Sequence, residues 1–237
     1  MAPDPPGDRI VLVSPHLDDG VLSLGAAMAS WARAGSQLEL LTVFAGDPGS
    51  DAPAGGWDGR AGFATEGEAV RARRAEDARA CALLGAVPTW LPFGYHDYER
   101  HAGDDDLRDT VVAAVGDADA VLFPGSPLSH PDHESLVRTI AEASLRARRL
   151  GFYVEQPYGL RAGASPVTPP WLVVALGTPL EFAGVRVSVR DRVAKWRAIG
   201  AYGSQLPLLA LGWRGRLGLA ARSEQVSWVA GAGRTPH

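Results

Sequence analysis

The feature that most narrows the fold is an alternation. Short apolar, β-branched runs recur along the first two thirds of the chain, each followed by a segment with helical periodicity. Residues 9–13, RIVLV, end at Ser14-Pro15; Asp18 to Ala34 then carries Val21, Leu22, Leu24, Ala27, Met28 and Trp31 near helical spacing, with Gly35 as a stop. Strands are predicted over 38–44, 88–92, 120–123 and 152–155, and helices over 69–84, 107–115 and 134–148. Runs apolar at every position are strands covered on both faces, and strands alternating with helices are joined by crossovers. The expected fold is therefore α/β and Rossmann-like, a mostly parallel sheet with helices on both faces.

Beyond Gln156 the pattern changes. Residues 171–176, 180–182, 185–189 and 225–229 read as strands and 190–202 as a helix, so short C-terminal strands are expected to complete the domain. A length of 237 residues suits one domain, 1–237. Residues 45–62, rich in Gly, Pro and Asp and holding Trp57, are too long for a plain connection and read as a functional loop.

Composition excludes several classes. The net charge is −4, with no dense basic run, which argues against nucleic acid or acidic lipid as a partner. The single cysteine, Cys81, can form neither an internal disulfide nor a cysteine-based zinc site and reads as a small buried apolar residue. The start, MAPDPPGDR, lacks a signal peptide's apolar run, and the longest uncharged stretch, 162–180, is broken by four prolines. A soluble cytoplasmic protein with no membrane partner is expected.

The chemistry concentrates at two places. The first strand runs into Pro15-His16-Leu17-Asp18-Asp19-Gly20, at the end of a strand where open α/β sheets bind ligands. Two carboxylates there would repel phosphate, and the glycine pattern of a dinucleotide site is missing. An imidazole with two carboxylates suits a cation, the plainer alternative being a helix N-terminus capped by Asp18 or Asp19. The second place is His130-Pro131-Asp132-His133-Glu134, after the fourth strand. Proline at the first helical position would put His130 at the cap and His133 in the first turn, where the helix dipole disfavours an imidazolium and keeps His133 a neutral lone-pair donor. With strand order 3-2-1-4-5, strands one and four are neighbours and His16, Asp19, His130 and His133 converge. Two histidines and a carboxylate suit Zn²⁺ with an open position, and Fe(II) fits the same set. A second aspartate would then remain as a base, which favours hydrolysis.

PHLDD with HPDH resembles the PIG-L (LmbE-like) family of zinc-dependent N-acetylglucosaminyl deacetylases. Further along, Arg73-Arg74-Ala75-Glu76, Phe93 to Tyr98 with Asp97, Tyr153 to Tyr158, and Lys195 with Tyr202-Gly203-Ser204-Gln205 resemble other family segments, so the likeness spans about residues 9–229. The family's commoner opening is A-H-P-D-D-E; here Leu17 stands for the proline, Gly20 for the acid, and Tyr202 for a histidine of the last motif. The resemblance implies that His16, Asp19 and His133 bind zinc, that Asp18 is the general base, and that His130 stabilises the oxyanion or protonates the leaving amine. It also implies that Asp97 and Arg73 hold the sugar or order the pocket. Trp57 or Trp90 would offer an aromatic wall to a sugar ring. The function implied is hydrolysis of an N-acetyl or other N-acyl group from an amino-sugar-containing small molecule, with water activated on zinc as nucleophile, in natural-product or cofactor biosynthesis. Amidase action on thiol-cofactor conjugates and non-catalytic sugar binding are the alternatives. Residues 206–219, rich in leucine, would line an acyl-bearing substrate, form a homo-oligomer contact, or simply pack.

Overall fold

The computed structural model describes residues 5–94, 103–158 and 166–229. Its elements run β1 (Arg9–Ser14), α1 (Asp19–Arg33), β2 (Gln37–Thr42), α2 (Gly56–Arg60), α3 (Glu66–Leu84), β3 (Ala86–Trp90), α4 (Asp104–Val115), β4 (Ala120–Ser126), α5 (Pro131–Ala141) and β5 (Arg149–Val154). They continue through α6 (Pro170–Leu176), β6 (Ala183–Gly184), α7 (Val189–Ile199), α8 (Trp213–Ala221) and β7 (Gln225–Trp228).

One seven-stranded sheet has the order β3-β2-β1-β4-β5-β7-β6, parallel from β3 to β5 and antiparallel at β7 and β6. Alternate residues of β1 explain its two-sided burial. Ile10 and Leu12 pack with Val21, Met28, Cys81, Ile199 and Leu219 of α1, α3, α7 and α8. Val11 and Val13 pack with Val111, Leu136 and Leu172 of α4, α5 and α6. Each strand residue therefore serves one of two cores, as the apolar run demanded. The expected mostly parallel sheet and the adjacency of β1 and β4 are both present, and with them the crevice where the order reverses.

Four expectations fail in the second half. Residues 171–176 form α6, not a strand: Pro170 starts the helix at a position that needs no N–H, and Gly177 stops it at φ 71°. No strand forms over 180–182 or 185–189; the only pairing nearby is Ala183–Gly184 against β7. Helix α5 ends at Ala141, well short of residue 148.

Helix α1 is kinked, with Leu24 at φ −124°, ψ 19°. The kink opens the i→i−4 ladder. Glu224, just before β7, accepts from the N–H of Ala26 (2.9 Å) and Ala27 (2.7 Å), and Lys195 Nζ reaches the carbonyl of Ser23 (3.4 Å). Lys195 and Glu224 are themselves ion-paired at 2.7 Å, both fully buried. Both sides of the broken helix turn are thus satisfied by one buried ion pair, which holds the helix that presents Asp18 and Asp19.

Candidate metal and catalytic site

The site is built on two tight connections at the carboxyl ends of β1 and β4. After β1, Ser14 Oγ donates to the carbonyl of His16 (2.7 Å) and accepts from the N–H of Gly20 (2.9 Å), folding residues 15–18 back on themselves. Asp18 takes φ 142°, a conformation costing a non-glycine residue on the order of 1–3 kcal/mol. Neither aspartate serves as a helix cap: Asp18 occupies the cap position without a side-chain hydrogen bond, and Asp19 Oδ2 accepts from the N–H of His16 (3.0 Å). The capping alternative therefore fails. Gly20 has a packing reason of its own, because a Cβ there would lie 2.6 Å from Leu40 Cδ1 and 3.3 Å from Ser14.

After β4, His130 caps α5, its Nδ1 accepting from the N–H of Asp132 at 3.2 Å, with Pro131 next. His133 follows in the first turn, fully buried. The two connections meet. His16 Nδ1 lies 3.3 Å from Asp19 Oδ2, His133 Nε2 lies 3.1 Å from Asp19 Oδ2, and the two ring nitrogens are 3.1 Å apart.

The far side of each ring decides what this triangle is. His16 Nε2 hydrogen-bonds Asp132 at 2.8 Å, and His133 Nδ1 hydrogen-bonds Glu155 at the end of β5. With an N–H committed to each carboxylate, each neutral ring turns its lone pair inward, so three acceptors face one another. Such a group is stable only around positive charge. Tetrahedral bonds of about 2.0–2.1 Å would separate ligand atoms by about 3.3–3.4 Å, close to the spacing seen. The donor set thus fits a metal ion, and the carboxylates behind both histidines are the orienting partners that metal-bound imidazoles have. Donor atoms of His16, His130 and His133 also lie within 4.8 Å of one another. In His130, however, the cap bond occupies Nδ1, so the neutral ring carries its proton on Nε2 and can donate there.

The electrostatics follow. Burial opposes protonation of His16 and His133, but the hydrogen bonds that Asp132 and Asp19 accept from His16, and the charges and hydrogen-bond acceptors of Asp19 and Glu155 at His133, overcome it and raise both pKa values. In the metal-free protein these last two carboxylates outweigh the helix dipole at His133, and a bound cation would select the neutral, lone-pair-donating ring instead. Burial pushes Asp19 up, yet the charge and hydrogen bond of His133, with those of His16, hold its carboxyl well below the usual range. Burial and the charge of Asp19 push Asp18 up to about 7, against the pull of Arg73 and His16. His130, half-buried, falls to about 4 through burial and the neighbouring imidazoles. Asp18 and Asp19, adjacent in sequence, are thereby driven apart.

Arg73 lies close enough to Asp18 for its charge to act there, and its partner Asp58 adjoins Trp57 on α2. Arg73 is buried and ion-paired with Asp58 at 3.2 Å. Trp57 Nε1 donates to Gln205 (2.7 Å), and Ser204 Oγ donates to Glu76 (2.6 Å). Trp90 and Tyr202 both donate to buried Asp77, at 2.9 and 2.7 Å. The segment 202–205 thus ties α2 and α3 together. Asp97, with His96 and His101, lies outside the described residues.

Asp132 and Glu155 were not singled out as functional from the sequence. Asp132 sits inside the HPDH motif, and Glu155 directly follows a strand, so a signal existed in both places. What it lacked was the three-dimensional reason, namely a second ring nitrogen needing an acceptor.

The match of family decides the kinship: residues 11–144 fit the family described as GlcNAc-PI de-N-acetylase, PIG-L. The chain belongs to this family. It is 29% identical to the 2'-N-acetylparomamine deacetylase of Streptomyces fradiae, over 83% of this chain and 73% of that one. Among solved structures, a triple-mutant deacetylase of the teicoplanin biosynthetic pathway superposes with a TM-score of 0.73 at 26% identity, covering 93% of this chain and 97% of the other. The A40926 pseudoaglycone deacetylase gives 0.73 at 25%, covering 94% and 96%. In this PIG-L protein the candidate metal-binding arrangement lies where the strand order reverses, between β1 and β4. No described helix is long and apolar enough to cross a membrane.

Proposed function

We propose that this PIG-L protein is a zinc-dependent hydrolase that removes an N-acetyl group, or another N-acyl group, from an amino-sugar-containing small molecule in natural-product biosynthesis, with residues 1–237 acting as one catalytic domain. The observation that carries the reading is the triangle of His16 Nδ1, Asp19 Oδ2 and His133 Nε2 with a separate carboxylate, Asp18, beside it. The kinship with a 2'-N-acetylparomamine deacetylase and with deacetylases of teicoplanin and A40926 biosynthesis supports the amino sugar as substrate class.

His16, Asp19 and His133 hold the metal in this reading. A zinc ion there supplies Lewis acidity, acidifying water and polarising the amide carbonyl. Asp18 takes the proton of the attacking water; its pKa of about 7 suits a general base, and a cation alongside draws it lower by simple attraction. Because that carboxyl is buried and then protonated, Asp18 is also the group that returns the proton to the leaving amine. His130 stays neutral and donates Nε2–H to the developing oxyanion. Arg73, held by Asp58, keeps a positive charge behind Asp18, and Trp57, fixed by Gln205, offers a ring face to the sugar.

The test is a metal-replete preparation assayed against a panel of N-acetylated amino sugars, reading free amine and acetate. Turnover that vanishes with a chelator and returns with zinc supports the reading. Binding of a sugar without amine release, in protein shown to hold metal, would refute it in favour of a binding module. Oxygen-dependent turnover with iron would refute the hydrolytic assignment.

A further inference from the structure

The overall charge of −4 conceals an asymmetry. Residues 186–224 hold eight basic residues against two acidic ones. Both acids are buried and spoken for, Asp191 by Arg33 at 2.8 Å and Glu224 by Lys195. The seven arginines of this segment make no ion pair among the described residues.

The same segment carries the most apolar exposed surface. Nine large hydrophobic side chains are exposed in the described structure, and five lie on α7 and α8: Val189 (77% exposed), Val193, Trp196, Trp213 (64%) and Leu217. Their spacing sorts them into two stripes, 189/193/196 on α7 and 213/217 on α8. The helices are locked side by side. Arg216 lies over the Trp196 ring at 5.0 Å and donates to the Trp196 carbonyl (3.3 Å), while Arg192 donates to the carbonyl of Arg222 (2.9 Å) at the end of α8. The side chains of Arg190, Arg197 and Arg214 flank the stripes and make no hydrogen bond among the described residues.

We propose that the outer face of α7 and α8 docks on an anionic lipid surface. The face offers apolar side chains and arginine donors, with no exposed carboxylate between residues 186 and 222. A membrane leaflet rich in phosphatidylglycerol-type lipid is the complement: phosphate acceptors over an apolar depth. Tryptophan favours that boundary, and arginine reaches the phosphates while its stem stays against the apolar layer. A protein partner of ordinary composition would bring donors as well as acceptors and leave part of them unpaired here. Nucleic acid would satisfy the arginines but gain nothing from Val189, Val193 and Leu217. Between the two helices runs the segment whose Gln205 holds Trp57, so docking would occur beside the rim of the candidate active site. This inference is independent of the reaction proposed above.

The experiment is co-sedimentation of the full chain with vesicles of phosphatidylcholine alone or mixed with phosphatidylglycerol. Binding to the mixed vesicles, weakened by salt, is expected. The triple variant Arg190→Gln/Arg197→Gln/Arg214→Gln should partition on the order of a hundredfold less, given about fivefold per arginine. Trp213→Ser should lose about tenfold, since an exposed tryptophan is the deepest anchor of such a face. Both changes sit on exposed positions, so thermal melting and turnover of a water-soluble N-acetyl sugar should match the parent. Equal partitioning onto both vesicle types, or undiminished binding of both variants, would overturn the proposal. So would self-association that the variants abolish without any vesicle binding, which would assign the face to a second copy.

Discussion

Replacing Glu155 by glutamine changes one oxygen to nitrogen and tests how the metal site is held. Glu155 Oε1 faces His133 Nδ1, and Oε2 accepts from the N–H of Leu128 at 2.7 Å. Two donors therefore point at the carboxylate from different sides. Glutamine has one oxygen to offer, so its amide N–H₂ must confront the other donor, and the surviving contact to the imidazole becomes a neutral hydrogen bond of about half the strength. Losing a hydrogen bond to a charged group costs about 1.5–3 kcal/mol, but part of that cost falls equally on metal-free protein. The share that appears in binding is the loss of a fixed, electron-rich Nε2. Orienting partners of this kind are worth about 10- to 100-fold in metal affinity, or about 1.4–2.7 kcal/mol. Competition against a chromogenic chelator at fixed pH measures it directly. Glu134→Gln serves as the control, because Glu134, partly buried on the helix that carries His133, pairs among the described residues with Arg138 at 2.7 Å. If Glu155→Gln binds zinc as tightly as the parent, with its fold intact by circular dichroism, the assigned role of Glu155 is wrong, and with it the tautomer argued for His133.

Further expectations are as specific. Asp18→Asn should retain zinc and lose about 10²–10⁴ in turnover, whereas Asp19→Asn should release metal and recover partly when zinc is added; metal content and rate, read together, separate them, and identical behaviour would contradict the two roles. His130→Ala should keep metal while turnover falls by about 10²–10³, the range for one oxyanion donor, and full loss of metal would make it a ligand instead. In metal-free protein the raised pKa values of His16, His133 and Asp18 contribute stability that is present at acidic pH and lost as pH rises through those values, for Asp18 about 7. Its melting temperature should accordingly fall between pH 6 and 8, while zinc-loaded protein, whose histidines need no proton, should hold steady. Lys195→Met should cost about 3–5 kcal/mol by stranding Glu224 without a counter-charge, measured by chemical denaturation.

The N-terminal half was legible because its elements are local. The β1 run, its loop and α1 each carry their own signal, and the two histidine-bearing turns meet through a strand order that crossover rules favour. Residues 171–176 were misread because six apolar residues suit a buried strand or a short helix equally; Pro169, Pro170 and Gly177 were the better guide. Asp132 and Glu155 were missed as functional groups because their roles exist only once a histidine has its other nitrogen committed. Lys195 was noticed, but its partner is 29 residues away and its purpose, repairing a break in α1, depends on a kink that no spacing reveals.

That repair bears on how the chain can be made. The residues that complete α1 arrive nearly two hundred positions after it, beyond the 11–144 stretch matched to the family. While a ribosome is still adding the middle of the protein, the Ala26 and Ala27 N–H groups must either bond water or draw α1 into a straighter course. The loop with Asp18 and Asp19 leads directly into that helix. Emergence of Glu224, nearly two hundred residues behind α1, is thus the event that lets α1 settle into its bent native path, and a chain cut off at residue 144 should carry every residue proposed to hold metal yet fail to set them for binding.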